Sequence, residues 1–243
     1  MLITSVHNEH IKELVKLKEK KYRDQTDLFL VETKHLVLEA YKAGLIKELI
    51  LEQNEIFPLD VPITYVSKEV LKKLSSVESP SNVMAVVEKR KVEEKYGEKV
   101  LILDRIQDPG NLGTIIRSAV AFNIDTIICS PDKVDFYNPK VVRASQGMMF
   151  HIPIMIKNTT KTIKDLKNND YKIVGTKVTN GKDVRTASIY SHFALIIGNE
   201  GQGISKDIEN LCDEYLYIKM NENCESLNAS VAASILLYEI NNK

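Results

Sequence analysis

Long apolar runs are missing from this sequence. No stretch approaches the roughly 20 residues that a membrane-spanning helix needs, so no membrane partner is expected. The start, Met1-Leu2-Ile3-Thr4-Ser5, lacks the basic-then-apolar layout of a secretory leader. Cysteine is scarce: Cys129, Cys212 and Cys224 are odd in number and far apart. They form no C-x-x-C pattern, which predicts a reduced, cytoplasmic compartment. Excess charge is missing too, with 33 Lys plus Arg against 33 Asp plus Glu. Any nucleic-acid footprint must therefore be a local patch. Histidine pairs offer no metal site, because His7 and His10 have no further ligand nearby. Internal repeats and low-complexity tracts are also absent.

What is present is a globular composition, 44% hydrophobic over 243 residues, enough for two modest domains or one large one. Residues 10–23 carry Ile11, Leu14 and Val15 at helical spacing. Around them lie six basic residues, Lys12, Lys16, Lys18, Lys20, Lys21 and Arg23, against Glu13 and Glu19. This is either a solvated helix face or a phosphate-contacting one. Strands follow at 29–31, 49–51, 63–66 and 83–87, with helices around Val37 and over 70–74; Gly44 is a plausible helix stop. The first 90 residues thus form a small α/β domain. The polar run "KRKVEEKYGEK", residues 89–99, reads as a linker. A second alternation then predicts strands at 100–103, 126–129, 152–156, 172–176, 193–198 and 215–219. Its helices are expected at 113–122, 138–146, 161–168, 205–211 and 227–240. Such alternation implies a parallel sheet covered on both faces. The domain expectation is therefore 1–90, a linker over 91–99, and 100–243.

Three loops carry the chemistry. The first, "IQDPGNLGTIIRSA", runs from Ile106 to Ala119. Gly110 and Gly113 do not make a G-x-G-x-x-G fingerprint, and no G-K-[ST] follows. The loop offers Asn111 and, six residues on, Arg117. With a helix starting near Gly113, both residues would face a ligand at the carboxyl edge of the sheet; the plainer alternative is a capped helix with an exposed arginine. The second loop follows the strand "FALII" and reads Gly198-Asn199-Glu200-Gly201. Glu200 needs a partner there, and Arg117 is the expected one. The third loop leads from Ile218 to Ser226-Leu227-Asn228. Ser226 is the expected cap of a C-terminal helix whose apolar side is Leu227, Val231, Ile235 and Tyr238.

Taken together and in order, these loops resemble the three motifs of the SpoU/TrmH branch of the SPOUT methyltransferases. The resemblance covers roughly residues 98–243. "SVHNEHIKELVKLKEKKYR" and "FLVETKHLVLEA" are similar to the family's N-terminal substrate-binding domain, a ribosomal-protein-like α/β/α fold. Two positions depart from the pattern: Lys219 stands where proline is usual, and Thr33 where glycine is common.

The resemblance implies transfer of methyl from S-adenosylmethionine to a ribose 2′-hydroxyl of RNA, without a metal. It implies an α/β parallel-sheet domain with a C-terminal trefoil knot, and a homodimer whose sites borrow from the partner. Arg117, Asn111, Glu200, Ser226 and Asn228 take the catalytic positions. Gly198, Ile218, Leu227 and Thr176 take the cofactor positions. Lys16, Lys20 and Arg23 are the expected RNA contacts. Ribosomal RNA is expected ahead of tRNA; a silent RNA-binding assembly factor is the other alternative. Arg117 acts either as the base or as a ligand of the adjacent phosphate, since a guanidinium is a poor base.

Overall fold

The computed structural model describes residues 2–131, 135–188 and 190–241. The chain first forms β1 (Leu2–Ile3), α1 (Glu9–Lys16), α2 (Lys20–Thr26), β2 (Leu28–Glu32) and α3 (Lys34–Lys42). It continues through β3 (Ile46–Glu52), β4 (Ile63–Val66), α4 (Lys68–Leu74) and β5 (Val83–Glu88). Next come β6 (Lys99–Leu103), α5 (Pro109–Ala121), β7 (Thr126–Cys129), α6 (Pro139–Ala144) and β8 (Ile154–Ile156). The last elements are α7 (Thr159–Lys167), β9 (Lys172–Thr176), β10 (Lys182–Asp183), β11 (Phe193–Ile197), α8 (Lys206–Glu209), β12 (Glu214–Tyr217) and α9 (Ala229–Asn241).

Two compact units result: residues 1–91 with 135–150, and residues 92–134 with 151–243. The first unit holds a five-stranded sheet of order β1-β4-β3-β5-β2. Strand β5 runs antiparallel to β2 and β3, while β4 is parallel to β3 and β1. Its core joins Ile11 and Leu14 of α1 to Val70, Leu71 and Leu74 of α4 and to Ile50 and Met84 of the sheet. Phe29 of β2 packs against Tyr137 and Phe150, with ring centroids 4.7 and 6.2 Å away.

The basic segment 10–23 is two helices, where one was expected. Arg23 breaks it. Its guanidinium is buried, 3% exposed. It donates to the carbonyls of Leu17 and Lys18 at 2.8 and 2.7 Å and to Asp135 at 2.5 Å. Helix carbonyls at a terminus lack intrahelical partners, and a buried arginine supplies them here. Arg23 is thus withdrawn from the surface on which an RNA contact was expected.

The second unit is a seven-stranded sheet of order β10-β12-β9-β11-β6-β7-β8. Every pairing in it is parallel, as the alternation implied. β6 and β11 sit side by side near its centre, register Leu101 to Leu195, and β11 is buried throughout. Helices covering both faces explain such continuous apolar strands. Because β6 and β11 are parallel neighbours, the loops after them open on the same edge. β12 lies between β9 and β10, both of which precede it in the chain. α9 packs on α5, where Ser118 and Ser234 hydroxyls meet at 2.7 Å.

Candidate active site

Helix α5 starts four residues before the expected Gly113. Asp108 caps it by accepting the Asn111 N–H at 2.8 Å, and Pro109 occupies the first turn. Asn111 consequently lies in the first turn and is buried, 9% exposed. Arg117 lies roughly two turns in, on the exposed side of the helix. Among the described residues it has no hydrogen-bond or ion-pair partner.

The loop after β11 is closed on itself. Asn199 and Gly203 exchange backbone hydrogen bonds of 3.0 and 2.9 Å. The Asn199 carbonyl oxygen of the side chain accepts from Gly201 and Gln202, and its amide donates to the Arg105 carbonyl at 2.9 Å. Gly198 is where this loop crosses itself: a Cβ there would lie 2.2 Å from the Gly203 carbonyl carbon. Asp104 at the end of β6 accepts the Ser205 N–H at 2.7 Å and so fixes where the loop re-enters a helix.

Glu200 does not pair with Arg117, contrary to expectation. Its carboxylate takes the Asn111 side-chain amide at 3.0 Å and approaches the backbone N–H groups of Gln107 and Asp108 at 3.4 Å. A carboxylate is satisfied as well by several neutral donors as by one cation, so no arginine is required.

The third loop meets the first at the same residue. Asn228 donates to the Asn111 side-chain oxygen at 2.9 Å. Its own oxygen accepts from the Ser230 N–H at 2.9 Å, the Ser230 hydroxyl at 2.7 Å and the Val231 N–H at 3.3 Å. Asn228, not Ser226, therefore caps α9. The expected apolar side of α9 is also not the buried one. Ala229, Ala233, Leu236 and Leu237 face the core, while Val231 and Tyr238 are 47% and 54% exposed.

Beside this network lies a cavity of about 600 Å³. Thr176, Gly198, Ile218 and Leu227, the four expected cofactor positions, all line it, as do Glu200 and Ser226. Asn111, Arg117 and Asn228 lie outside that lining. The Thr176 hydroxyl is committed to the Ile196 carbonyl at 2.9 Å, so its part in the wall is structural. In the wall, Lys177 stacks over the Tyr215 ring at 3.9 Å; burial pushes the Tyr215 phenol up, and it donates to the carbonyl of Glu209, another wall residue, at 2.5 Å.

On the first unit Lys16 is half-buried and Lys20 exposed, and they pair with Glu13 and Asp24, each at 2.7 Å. Hydrogen bonds from Lys20 and Lys89 hold the Asp24 carboxyl below its usual range. Sequence reasoning missed Asp104 and Asp108, and it placed Asn199 in the second loop without a role. Asp108 had a legible signal, an aspartate directly before a proline that opens a helix.

The SpoU rRNA Methylase family matches residues 98–238, more than half of the chain. This chain belongs to that family. The MRM3-like substrate binding domain matches residues 8–85. The 23S rRNA (guanosine(2553)-2′-O)-methyltransferase RlmP of Bacillus subtilis (strain 168) is 35% identical, with 98% of each chain covered. The AdoMet-bound rRNA methyltransferase of Sinorhizobium meliloti superposes with a TM-score of 0.88 at 29% identity, covering 100% of this chain and 97% of that one. The SpoU methyltransferase AviRb of Streptomyces viridochromogenes, in complex with AdoMet, gives 0.87 at 26% identity over 97% and 98%. The family resemblance drawn from the three loops is thus borne out, and so is the parallel-sheet fold. Among the described residues no helix is long and apolar enough to cross a membrane, and no cluster of three metal-ligating side chains occurs.

Proposed function

We propose that this chain methylates a ribose 2′-hydroxyl of ribosomal RNA, using S-adenosylmethionine. One observation carries the reading: Asn111 joins all three motif loops beside a cavity whose wall contains each expected cofactor residue. The cavity suits a small-molecule cofactor, since such sites measure roughly 300–1,000 Å³. Its wall mixes the apolar Ile218, Leu227 and Leu236 with the glycine-rich backbone at 198–203. Apolar side chains would hold the adenine, and open backbone groups its polar edge. When bound, S-adenosylmethionine supplies a methyl group on a positive sulfur, activated for direct attack by an oxygen.

The remaining work falls to the chain's own residues. Arg117 is exposed and unpaired among the described residues, so we assign it to the phosphate next to the target ribose; solvent takes the hydroxyl proton. Glu200 and Asn228 fix Asn111, and through it the relative placement of the three loops. Ser226 shapes the cavity rim. Lys16 and Lys20 contribute RNA affinity by exchanging surface carboxylates for phosphates, an exchange that exposed ion pairs resist only weakly.

Three further features belong to the same reading. The N-terminal segment, residues 1–90, binds RNA, and the segment 100–243 carries the methyltransferase chemistry, although residues 135–150 of it pack with the N-terminal unit. β12 and α9 form a trefoil knot, a reading that the membership in the SpoU family supports. The protein is read as a homodimer, supported by the exposed apolar Val231 on α9, and as cytoplasmic from its likeness to the rRNA methyltransferase RlmP. Light scattering on the full chain should report twice the monomer mass. The function itself is tested by mapping ribose methylation in a strain lacking the protein. Loss of one rRNA site is expected. Loss of a tRNA site instead would redirect the substrate, and an unchanged map would favour the silent assembly factor.

A further inference from the structure

Arg105 is an outlier on three counts. Its φ is +59°, a left-handed conformation unfavourable for a side chain of this kind. Its Nε is buried without a hydrogen bond, and the nearest carboxylate, Asp104, lies 3.4 Å away. Its backbone is nonetheless held from both sides. The N–H donates to the Ser130 hydroxyl at 3.1 Å, and the carbonyl accepts from Asn199 at 2.9 Å. Backbone strain that the surroundings over-determine in this way collects at functional positions.

The chemistry of the position says what it serves. Arg105 follows β6, on the sheet edge where the Glu200 loop opens. Its Nη1 lies 3.4 Å from the side-chain oxygen of Gln202, a residue of the cavity wall. Arg105 itself is not part of that wall, and its side chain is 33% exposed. Asp104 lies nearest Nε, and among the described residues the terminal nitrogens make one hydrogen bond, the long one to Gln202. A planar guanidinium presented in this way is suited to two parallel hydrogen bonds from a phosphate.

We propose that Arg105 is a positioning residue that binds an RNA phosphodiester at the mouth of the methylation site, a second contact besides Arg117. The proposal rests on the function proposed above. Asp104 sets the side chain's direction, and Asn199 couples it to the loop that carries Glu200. An arriving phosphate displaces the long Gln202 contact and occupies the free edge of the guanidinium. The ligand is RNA and not the cofactor, because Arg105 stands outside the cavity lining.

The test uses the left-handed backbone itself. Glycine is at ease at positive φ, so Arg105→Gly removes the guanidinium while relieving the backbone. The full-length variant should melt at or above the wild-type temperature and bind S-adenosylmethionine with unchanged affinity. Its KM for rRNA should rise about 5–10-fold. Its plot of log affinity against log salt should lose about one unit of slope, the signature of one phosphate contact. Arg105→Gln, of similar reach but uncharged, should show the same changes in KM and salt slope without the gain in stability, and serves should the glycine variant fail to fold. Arg105→Lys should keep the slope. An unchanged salt slope and KM would overturn the proposal, and so would a weakened cofactor affinity. Wild-type protein that methylates no RNA would remove the functional reading and this proposal with it.

Discussion

Asn111 donates its side-chain amide to Glu200 at 3.0 Å and accepts from Asn228 at 2.9 Å. One side chain thereby serves as donor to one motif loop and acceptor to another. An amide does both, whereas the ionised carboxylate of the same length only accepts. Asn111→Asp would place a second carboxylate against Glu200, and Asn111→Ala would leave Asn228 without its acceptor. Either change should remove methyl transfer while costing about 1–3 kcal/mol in stability. A double-mutant cycle of Asn111→Ala with Asn228→Ala, read by denaturant unfolding, should show coupling of at least about 0.5 kcal/mol. Simple additivity would mean the contact does not tie the loops.

Arg23 and Lys20 were grouped by sequence as basic residues of one face, yet they should behave as opposites. Arg23→Ala strands two carbonyls and Asp135, and should destabilise by about 3 kcal/mol. Lys20→Ala breaks one exposed pair and should stay within about 0.5 kcal/mol. Urea unfolding of the two variants decides this; equal effects would contradict the burial of Arg23.

Thr33 has φ +97°, in a region where a β-branched residue is strained. It is also the position at which the family commonly has glycine. Its hydroxyl gives only a long cap to the Leu36 N–H, 3.4 Å. Thr33→Gly should raise stability by about 1 kcal/mol, since the relieved strain exceeds a cap that glycine nearly replaces. A lower melting temperature would show that the cap outweighs the strain.

Gly198 and Gly201 lie on the same loop and differ in space. A Cβ on Gly198 collides with the backbone of Gly203 and Ile204, whereas Gly201 has nothing nearer than 3.8 Å. Gly198→Ala should weaken S-adenosylmethionine binding more than tenfold and lower stability by about 1–3 kcal/mol. Gly201→Ala should leave cofactor affinity within about threefold. Calorimetry on both separates the crossing from the general flexibility of the loop.

Much of the fold is legible in the sequence because strands buried on both faces are near-continuous apolar runs. "VLIL" and "FALII" become β6 and β11 within a residue. What is not legible has identifiable causes. α9 is apolar nearly all round, so periodicity cannot choose its buried side, and Val231 and Tyr238 were placed on the wrong one. Ser226 and Asn228 are both good caps, and only the structure shows that Asn228 also reaches Asn111. Opposite charge suggested Arg117 for Glu200, but neutral amide donors were closer. Burial of Arg23 and the left-handed backbone at Arg105 leave no mark in composition or spacing. The three loops that meet at Asn111 are legible in the sequence; the order of their hydrogen bonds is not.

The central claim is methyl transfer to a ribose oxygen. The most direct measurement incubates the full chain with unmodified ribosomal RNA and S-adenosylmethionine labelled in the methyl group, then identifies the labelled nucleoside. The account predicts label in a single 2′-O-methylnucleoside, lost in Arg117→Ala although cofactor binding stays within about threefold of wild type. Label on a base, or no transfer by a protein that binds the cofactor, would contradict it.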